Sequence, residues 1–251
     1  MSPFSLACTC QGRTMTTSFS RTQSRLRIFL VGTRFPATRT TAELLLTRPR
    51  SLLPDRLRAS IAANGDLQWF CIDIPEPPPL NTDGLSRVVE QLSDSDSQWW
   101  PTAEVQRHLM MMTPTHRDRV SRLAEMTRLS YRSFFRRRRD AGQRAEVRND
   151  DLAGCLRTAV GGSGKQFLIE AGEGRIRMRA MTAREYARLQ GVPDEYPVTA
   201  NGVQALTGFG DAVCVPAISW IAANVLNPAV EPRIATPRRK RPPVQLALLE
   251  R

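Results

Sequence analysis

Few of the 251 residues could do covalent or metal chemistry, and many could hold a polyanion. The candidate nucleophiles and metal ligands are five cysteines, Cys8, Cys10, Cys71, Cys155 and Cys214, and two histidines, His108 and His116. They are scattered, with no Cys-x-x-Cys pair, and lack the convergent spacing of a structural zinc site. No metal is expected, and the thiols should be reduced. Lysine and arginine number 36 against 24 acidic residues, a net charge of +12 with a pI near 10.8. Clustered cations bind phosphates and release counterions, so this balance favours a polyanionic partner. Only Lys165 and Lys240 are lysines, and GC-rich coding would produce the same arginine bias, so charge alone does not establish nucleic-acid binding. The densest cluster, Arg136, Arg137, Arg138 and Arg139, follows Tyr131-Arg132-Ser133-Phe134-Phe135. It is the strongest phosphate-contact candidate, although four adjacent arginines cannot all face one groove.

The elements that would carry these groups can be read in outline. Residues 1–22 are polar and without period, as in a disordered or poorly packed leader. Gln23 to Gly32 alternates arginine with apolar residues and then runs apolar, as a strand entering a sheet does. Leu67 to Ile74 reads as a strand stopped by the prolines that follow, and Trp99-Trp100 as core or hinge anchors. Thr102 opens a helix to Met112, with Met110, Met111 and Met112 as packing. Thr115 with Asp118 starts another, burying Val120, Leu123 and Met126 and presenting Arg117, Arg119 and Arg122. Beyond the glycines of Asp151–Gln166, Phe167–Ile169 and the strand through Ile176 and Met178 form a hairpin around Gly172-Glu173-Gly174. Thr182 with Glu185 is a capping box for a helix that Gly191 and Pro193 stop. Gly208 to Val213 reads as a turn, and a last helix has Pro216 in its first turn and Ile218, Ile221, Ala222 and Val225 on one face. The tail past Pro228 is basic, proline-rich and disordered in pattern. No run reads as long and charge-free enough to cross a bilayer, and no basic lead-in marks a signal peptide, so no membrane partner and a cytoplasmic location are expected.

Residue identities say more than periodicity. The run Thr182-Ala183-Arg184-Glu185-x-Ala187-Arg188-Leu189-Gln190-Gly191-Val192-Pro193-Asp194 closely resembles the ninth sequence block of DNA cytosine-5 methyltransferases, and Gly210-Asp211-Ala212-Val213 with its helix resembles the tenth. Gln23-x-Arg25-x-Arg27 is similar to the eighth. The resemblance implies that Arg25 and Arg27 reach the flipped cytosine and its flanking phosphates, Arg27 facing the base; solvated arginines on an edge strand are the alternative. It implies that Asp151–Gln166 is the target-recognition loop, with Cys155-Leu156 in place of Thr-Leu. Arg157, Thr158, Gly161, Gly162, Ser163 and Lys165 would then line the DNA major groove, against the alternative of a plain glycine turn. Gly210, Asp211, Ala212 and Val213 would form one wall of the S-adenosylmethionine pocket, with Asp211 where the family has asparagine.

Cytosine-5 methylation needs the base out of the stack, a cysteine thiolate adding to the ring, a glutamate on the ring nitrogen and a methyl donor in a glycine-rich pocket. Cys10-Gln11-Gly12 resembles the end of the family's Pro-Cys-Gln block, but Thr9 replaces the proline and the surrounding context is absent, so it is taken as chance. The donor-binding glycine loop, the Pro-Cys nucleophile and the Glu-Asn-Val block are not found. The expectation is an α/β chain: an incomplete doubly wound methyltransferase sheet with an irregular α+β target-recognition domain. Its parts would be a leader (1–22), a catalytic-domain strand (23–48), the recognition domain (49–175), helices returning to the catalytic domain (176–228) and a tail (229–251). It would bind double-stranded DNA, hold part of an S-adenosylmethionine site, serve in restriction-modification and be inactive without a separate N-terminal polypeptide. The alternative is a catalytically inactive DNA-binding remnant.

Overall fold

The computed structural model describes residues 38–228, apart from 51, 68, 72–73, 79, 82–83, 141, 158–163 and 199–201, and three two-residue strands nearer the start. Those strands are β1 (Thr9–Cys10), β2 (Phe19–Ser20) and β3 (Arg27–Ile28). Then come β4 (Thr38–Thr40), α1 (Ala42–Leu46), α2 (Asp55–Ala62), β5 (Trp69–Cys71) and β6 (Leu80–Asn81). β1 pairs antiparallel with β3, placing Cys10 opposite Arg27, while β4 pairs antiparallel with β5 and β2 parallel with β6. Part of the leader read as disordered is therefore strand, because backbone pairing to a neighbour needs no side-chain period. Of the strand expected over Leu67–Ile74, Trp69–Cys71 pair with β4, while Leu67 and Ile74 lie outside it.

The centre of the molecule is built from long alternating segments. After α3 (Thr102–Met110) and α4 (Pro114–Ala124) come β7 (Ser130–Arg139), β8 (Gly142–Val147), β9 (Phe167–Gly172) and β10 (Arg175–Ala180). They form an antiparallel sheet in the order β10-β9-β7-β8, so the fold is mixed α and β. Every residue of β9 is buried, since both faces of the sheet are covered. Phe134, Val147, Phe167, Ile169 and Met178 meet Val105, Met112 and Val120 of α3, its C-terminal turn and α4 on one side. On the other, Leu168 joins Leu85, Val88, Leu156, Tyr186 and Leu189. Trp100 confirms the anchor reading: its ring stacks 4.4 Å from His108, and its backbone N–H donates to the Met178 carbonyl at 2.9 Å.

The β9–β10 turn shows why its residues are what they are. Glu173 (φ 55) and Gly174 (φ 77) both take positive φ, as a type I′ hairpin requires. Their amides donate to the Met126 and Ala124 carbonyls at 2.7 and 2.8 Å, tying the turn to the end of α4. At Gly172 a Cβ would stand 2.4 Å from the Arg128 carbonyl oxygen, so the sheet's approach to residue 128 needs glycine there.

Several helix boundaries differ from expectation. The cap of α4 is Thr113, whose hydroxyl accepts the His116 N–H, because Pro114 fits the first helical position and moves the start back from Thr115. Met110 is 69% exposed and Met126 41%, so neither packs as expected; both lie at helix ends, past the buried stripe. After α5 (Ala183–Leu189), α6 (Gly202–Asp211) absorbs most of the expected Gly208–Val213 turn, which is reduced to residues 212–214. The helix extends because Ala205, Leu206 and Gly210 share a buried face. α7 (Val215–Ile221) continues as a π-helical turn, Ala222–Leu226. Its buried face is Ala217, Ile221 and Val225, the latter two against Leu52 and Ile74, which turns Ile218 outward at 41% exposure. One more expectation fails: Gly202–Leu226, 25 residues whose most apolar 18-residue window has mean hydropathy 1.5, is long and apolar enough to cross a membrane by length and composition alone. The three-residue break at 212–214 divides it.

Candidate DNA-recognition and donor-facing site

The residues between Ala180 and Pro197 form the hub that links the glycine segment to the break before α7. Thr182 and Glu185 make the expected capping box, but Glu185 does more than cap. It is fully buried and takes a bidentate ion pair from Arg179, at 2.8 and 2.5 Å, while accepting the amides of Thr182 and Glu90. Arg179 is equally buried and also reaches the Glu90 carbonyl. A buried ion pair of this kind holds only if its remaining hydrogen-bonding capacity is met, as it is for Glu185 here. Arg188 forms a bidentate pair with Asp194 at 2.8 and 2.9 Å and donates to the Val88 carbonyl, and Arg184 donates to the Tyr196 carbonyl. The charged residues of this run are thus spent on structure.

Two residues of α5 and its C-cap reach out to the candidate sites. The buried Tyr186 hydroxyl accepts the Gln166 N–H at 2.8 Å, and the Gln166 carbonyl accepts from Met181. Burial pushes the Tyr186 pKa up to about 12, so the hydroxyl stays neutral. This pins one end of the glycine segment. The other end is pinned by Ser133 of β7, whose hydroxyl donates to the Leu152 carbonyl at 2.9 Å and accepts the Gly154 N–H at 3.2 Å. A Cβ at Gly154 would lie 2.5 Å from the Gln166 side-chain oxygen, so a larger residue there would have to displace that amide. Ala153 and Leu156 are fully buried. The segment therefore leaves and re-enters the core at two fixed stems. Arg157 is exposed and Lys165 half-buried beside those stems, while Thr158, Gly161, Gly162 and Ser163 lie outside the described residues.

The second link is Gln190. Its amide donates to the carbonyls of Phe209 and Ala212 at 2.5 and 3.2 Å, and its own backbone carbonyl accepts the Val215 N–H at 2.9 Å. These bonds satisfy carbonyls at the end of α6 and hold the break before α7. Gly210 is buried in α6, Asp211 and Val213 are exposed, and Ala212 is half-buried. Residues 210–213 are thus half helix and half turn, and the Asp211 carboxylate does not suit the carboxylate end of an amino-acid-bearing donor.

The arginine cluster lies on β7, where period two divides it. Arg137 and Arg139 share Glu146 of β8, at 3.7 and 2.8 Å. Arg136 lies 4.9 Å from the Phe167 ring centroid on the other face, and Arg138 makes no ion pair among the described residues. Arg144 stands directly opposite Arg137 in the register. The hairpin end is thus cationic on both faces. Arg25 lies outside the described residues; Arg27 is placed in β3 by its backbone. Sequence reasoning missed Arg179, Tyr186, Gln190 and Glu90 as positioning residues. The first three sit in or beside the block, where spacing hinted at them; Glu90 carries no local signal.

Comparison with known proteins bears on this arrangement. Residues 16–227 match the family model of the C-5 cytosine-specific DNA methylases. The chain is 44% identical over 50 residues to the type II methyltransferase M.HpaII of Haemophilus parainfluenzae, covering 20% of this chain and 14% of that protein. It is 44% identical over 62 residues to M.NlaX of Neisseria lactamica, covering 25% and 19%. It is 39% identical over 64 residues to M1.ScrFI of Lactococcus lactis subsp. cremoris, covering 26% and 16%. The matched stretches span less than a fifth of these relatives' own lengths. With the family model covering most of its length, the chain belongs to the C-5 cytosine-specific DNA methylase family.

Proposed function

We propose that this chain is the target-recognition and C-terminal portion of a DNA (cytosine-5)-methyltransferase of a restriction-modification system. The family implies DNA as substrate and S-adenosylmethionine as methyl donor. The observation that carries the finer reading is the reach of one short helix and its cap. Tyr186 fixes the glycine segment, and Gln190 fixes the turn before α7. A single rigid hub thus sets the distance between a DNA-reading loop and a donor-facing wall. On this reading Arg157, Thr158, Gly161, Gly162, Ser163 and Lys165 read base edges in the major groove. Arg136 to Arg139 hold the phosphate backbone, and Arg25 and Arg27 attend the flipped cytosine.

The chemistry itself belongs to a separate N-terminal polypeptide carrying the thiolate nucleophile, the glutamate and the donor loop on a doubly wound sheet. S-adenosylmethionine would supply the methyl group there, with Gly210, Asp211, Ala212 and Val213 closing one side of its pocket. The apolar residues turned outward along α6, the break after it and α7, Val203, Val213, Val215 and Ile218, support this reading, since a surface of that kind wants a covering partner. The domain limits follow from the same reading: recognition domain 49–175, returning helices 176–228, basic tail 229–251. The cytoplasm, where host DNA lies, is the proposed location.

The test is methyl transfer from labelled S-adenosylmethionine to duplex DNA by this chain mixed with an N-terminal half that carries the donor loop and nucleophile. Transfer by the mixture and by neither part alone is the expected result. Binding of DNA without transfer under any mixing would leave a catalytically inactive DNA-binding remnant.

A further inference from the structure

One pocket is lined by side chains to which no role has been given above. It opens at the start of β7, has a volume of about 700 Å³ and is lined by Arg87, Arg128, Ser130, Arg132, Asp150 and Asp151 among others. We propose that it is an oxyanion site that seats one phosphate of the DNA backbone at the foot of the glycine segment; this rests on the DNA-recognition reading.

Three guanidiniums line the pocket, against two carboxylates. Asp150 is bidentately engaged by Arg148, with both bonds at 2.7 Å, and those bonds hold its pKa below the usual range although burial pushes it upward. Asp151 then stands beside Arg128 and Arg132, the two guanidiniums on which the site rests. Arg132 spends one nitrogen on the Tyr131 carbonyl, while its Nε is buried with no hydrogen-bond partner. The exposed Arg128 side chain makes no hydrogen bond or ion pair among the described residues. A guanidinium donates in a planar fork that matches phosphate oxygens, and an orphaned, already desolvated N–H is one such donor waiting for its acceptor.

Position supplies the second argument. The pocket's wall is the first residue of the glycine segment: the Asp151 carbonyl accepts the Leu85 N–H at 2.7 Å, and Ser133 holds Leu152 and Gly154. Residue 128 is held in turn by the close approach of Gly172 to its carbonyl. An anion bound here would lie at a fixed offset from the stem of the segment proposed to read the bases. A phosphate contact at such a point sets register and carries no sequence information.

The chemistry shared by a backbone phosphodiester and a free phosphate is the tetrahedral oxyanion, and two readouts on the full chain separate them. The first is broadening of the inorganic phosphate ³¹P resonance by wild type, Arg128→Gln and Arg132→Gln. The second is the dependence of duplex DNA affinity on salt for the same three proteins. The expected result is broadening by wild type that each variant abolishes, with the slope of log affinity against log salt shallower by about 0.9 for each variant. Broadening lost with the slope unchanged would keep the oxyanion site but overturn DNA as its source. Variants equal to wild type in both readouts overturn the proposal. If wild type binds no DNA, the recognition reading fails, and the ³¹P readout alone decides the pocket. Should Arg132→Gln not melt cooperatively, the exposed Arg128→Gln carries the test.

Discussion

The sheet with α5 and the pair α6–α7 are neighbours built on opposite terms. In the first, both faces are covered, β9 is wholly buried, and even the charged Arg179 and Glu185 find their partners inside. In the second, 22% of the most apolar window is buried, and Val203, Val215 and Ile218 face outward. The first body is complete in itself. The second is hydrophobic enough to need a cover and is held to the first chiefly through Gln190 and the buried face of α6. The difference separates a part of the described chain that buries its own apolar surface from one that leaves apolar side chains exposed.

Breaking the complete body should cost most. Glu185→Ala strands a buried guanidinium, and loss of one partner of a buried pair costs about 3–5 kcal/mol, read as a lower urea midpoint. A midpoint unchanged within error would mean that the pair is not buried in solution. Tyr186 gives a pH signature. Its pKa is raised from 10.0 to about 12, so between those values the unfolded chain loses a proton that the folded chain keeps. The stabilisation is therefore fully present below pH 10 and is lost as pH rises towards 12, on the order of 2–3 kcal/mol in all. Tyr186→Phe should flatten that alkaline fall, and at neutral pH should cost about 1–3 kcal/mol by orphaning the Gln166 amide.

Effects on the second body should be smaller and local. Gln190→Ala removes two bonds at the end of α6, each worth about 1 kcal/mol, and should speed amide exchange around residues 209–215 while leaving β9 protected. Equal acceleration in both places would erase the distinction between the two bodies. Ile218→Ser should change stability by no more than about 0.5 kcal/mol yet raise solubility, because it alters exposed apolar surface. Smallest of all, Glu146→Gln releases Arg137 and Arg139 and should tighten duplex binding by roughly one added phosphate contact in the salt slope.

How much of this the sequence disclosed depends on the range of the interactions. The β9–β10 hairpin, the capping box and the α7 proline were legible because each is decided within a few residues. The Thr182–Asp194 run was legible as a family signature, but not why its residues are fixed: Arg188 answers to Val88, and Glu185 to Glu90, across nearly a hundred positions of chain. Arg179 reads locally as one more arginine after Arg175 and Arg177; Glu185, six residues on, and the Glu90 carbonyl, 89 residues back, hold it buried. The end of α6 was misjudged for a related reason. Gly208 and Gly210 suggest a turn, and the carbonyl clamp that lets the helix continue comes from Gln190. The inward face of α7 depends on Leu52 and Ile74, which no local pattern links to it.

The most direct test is hydrogen exchange by mass spectrometry on the full chain, alone and with an N-terminal methyltransferase half. The account predicts strong protection of residues 167–189 in both states, and rapid exchange of 202–226 that slows markedly only when the second polypeptide is added. Protection of 202–226 in the isolated chain, or no change on mixing, would contradict it.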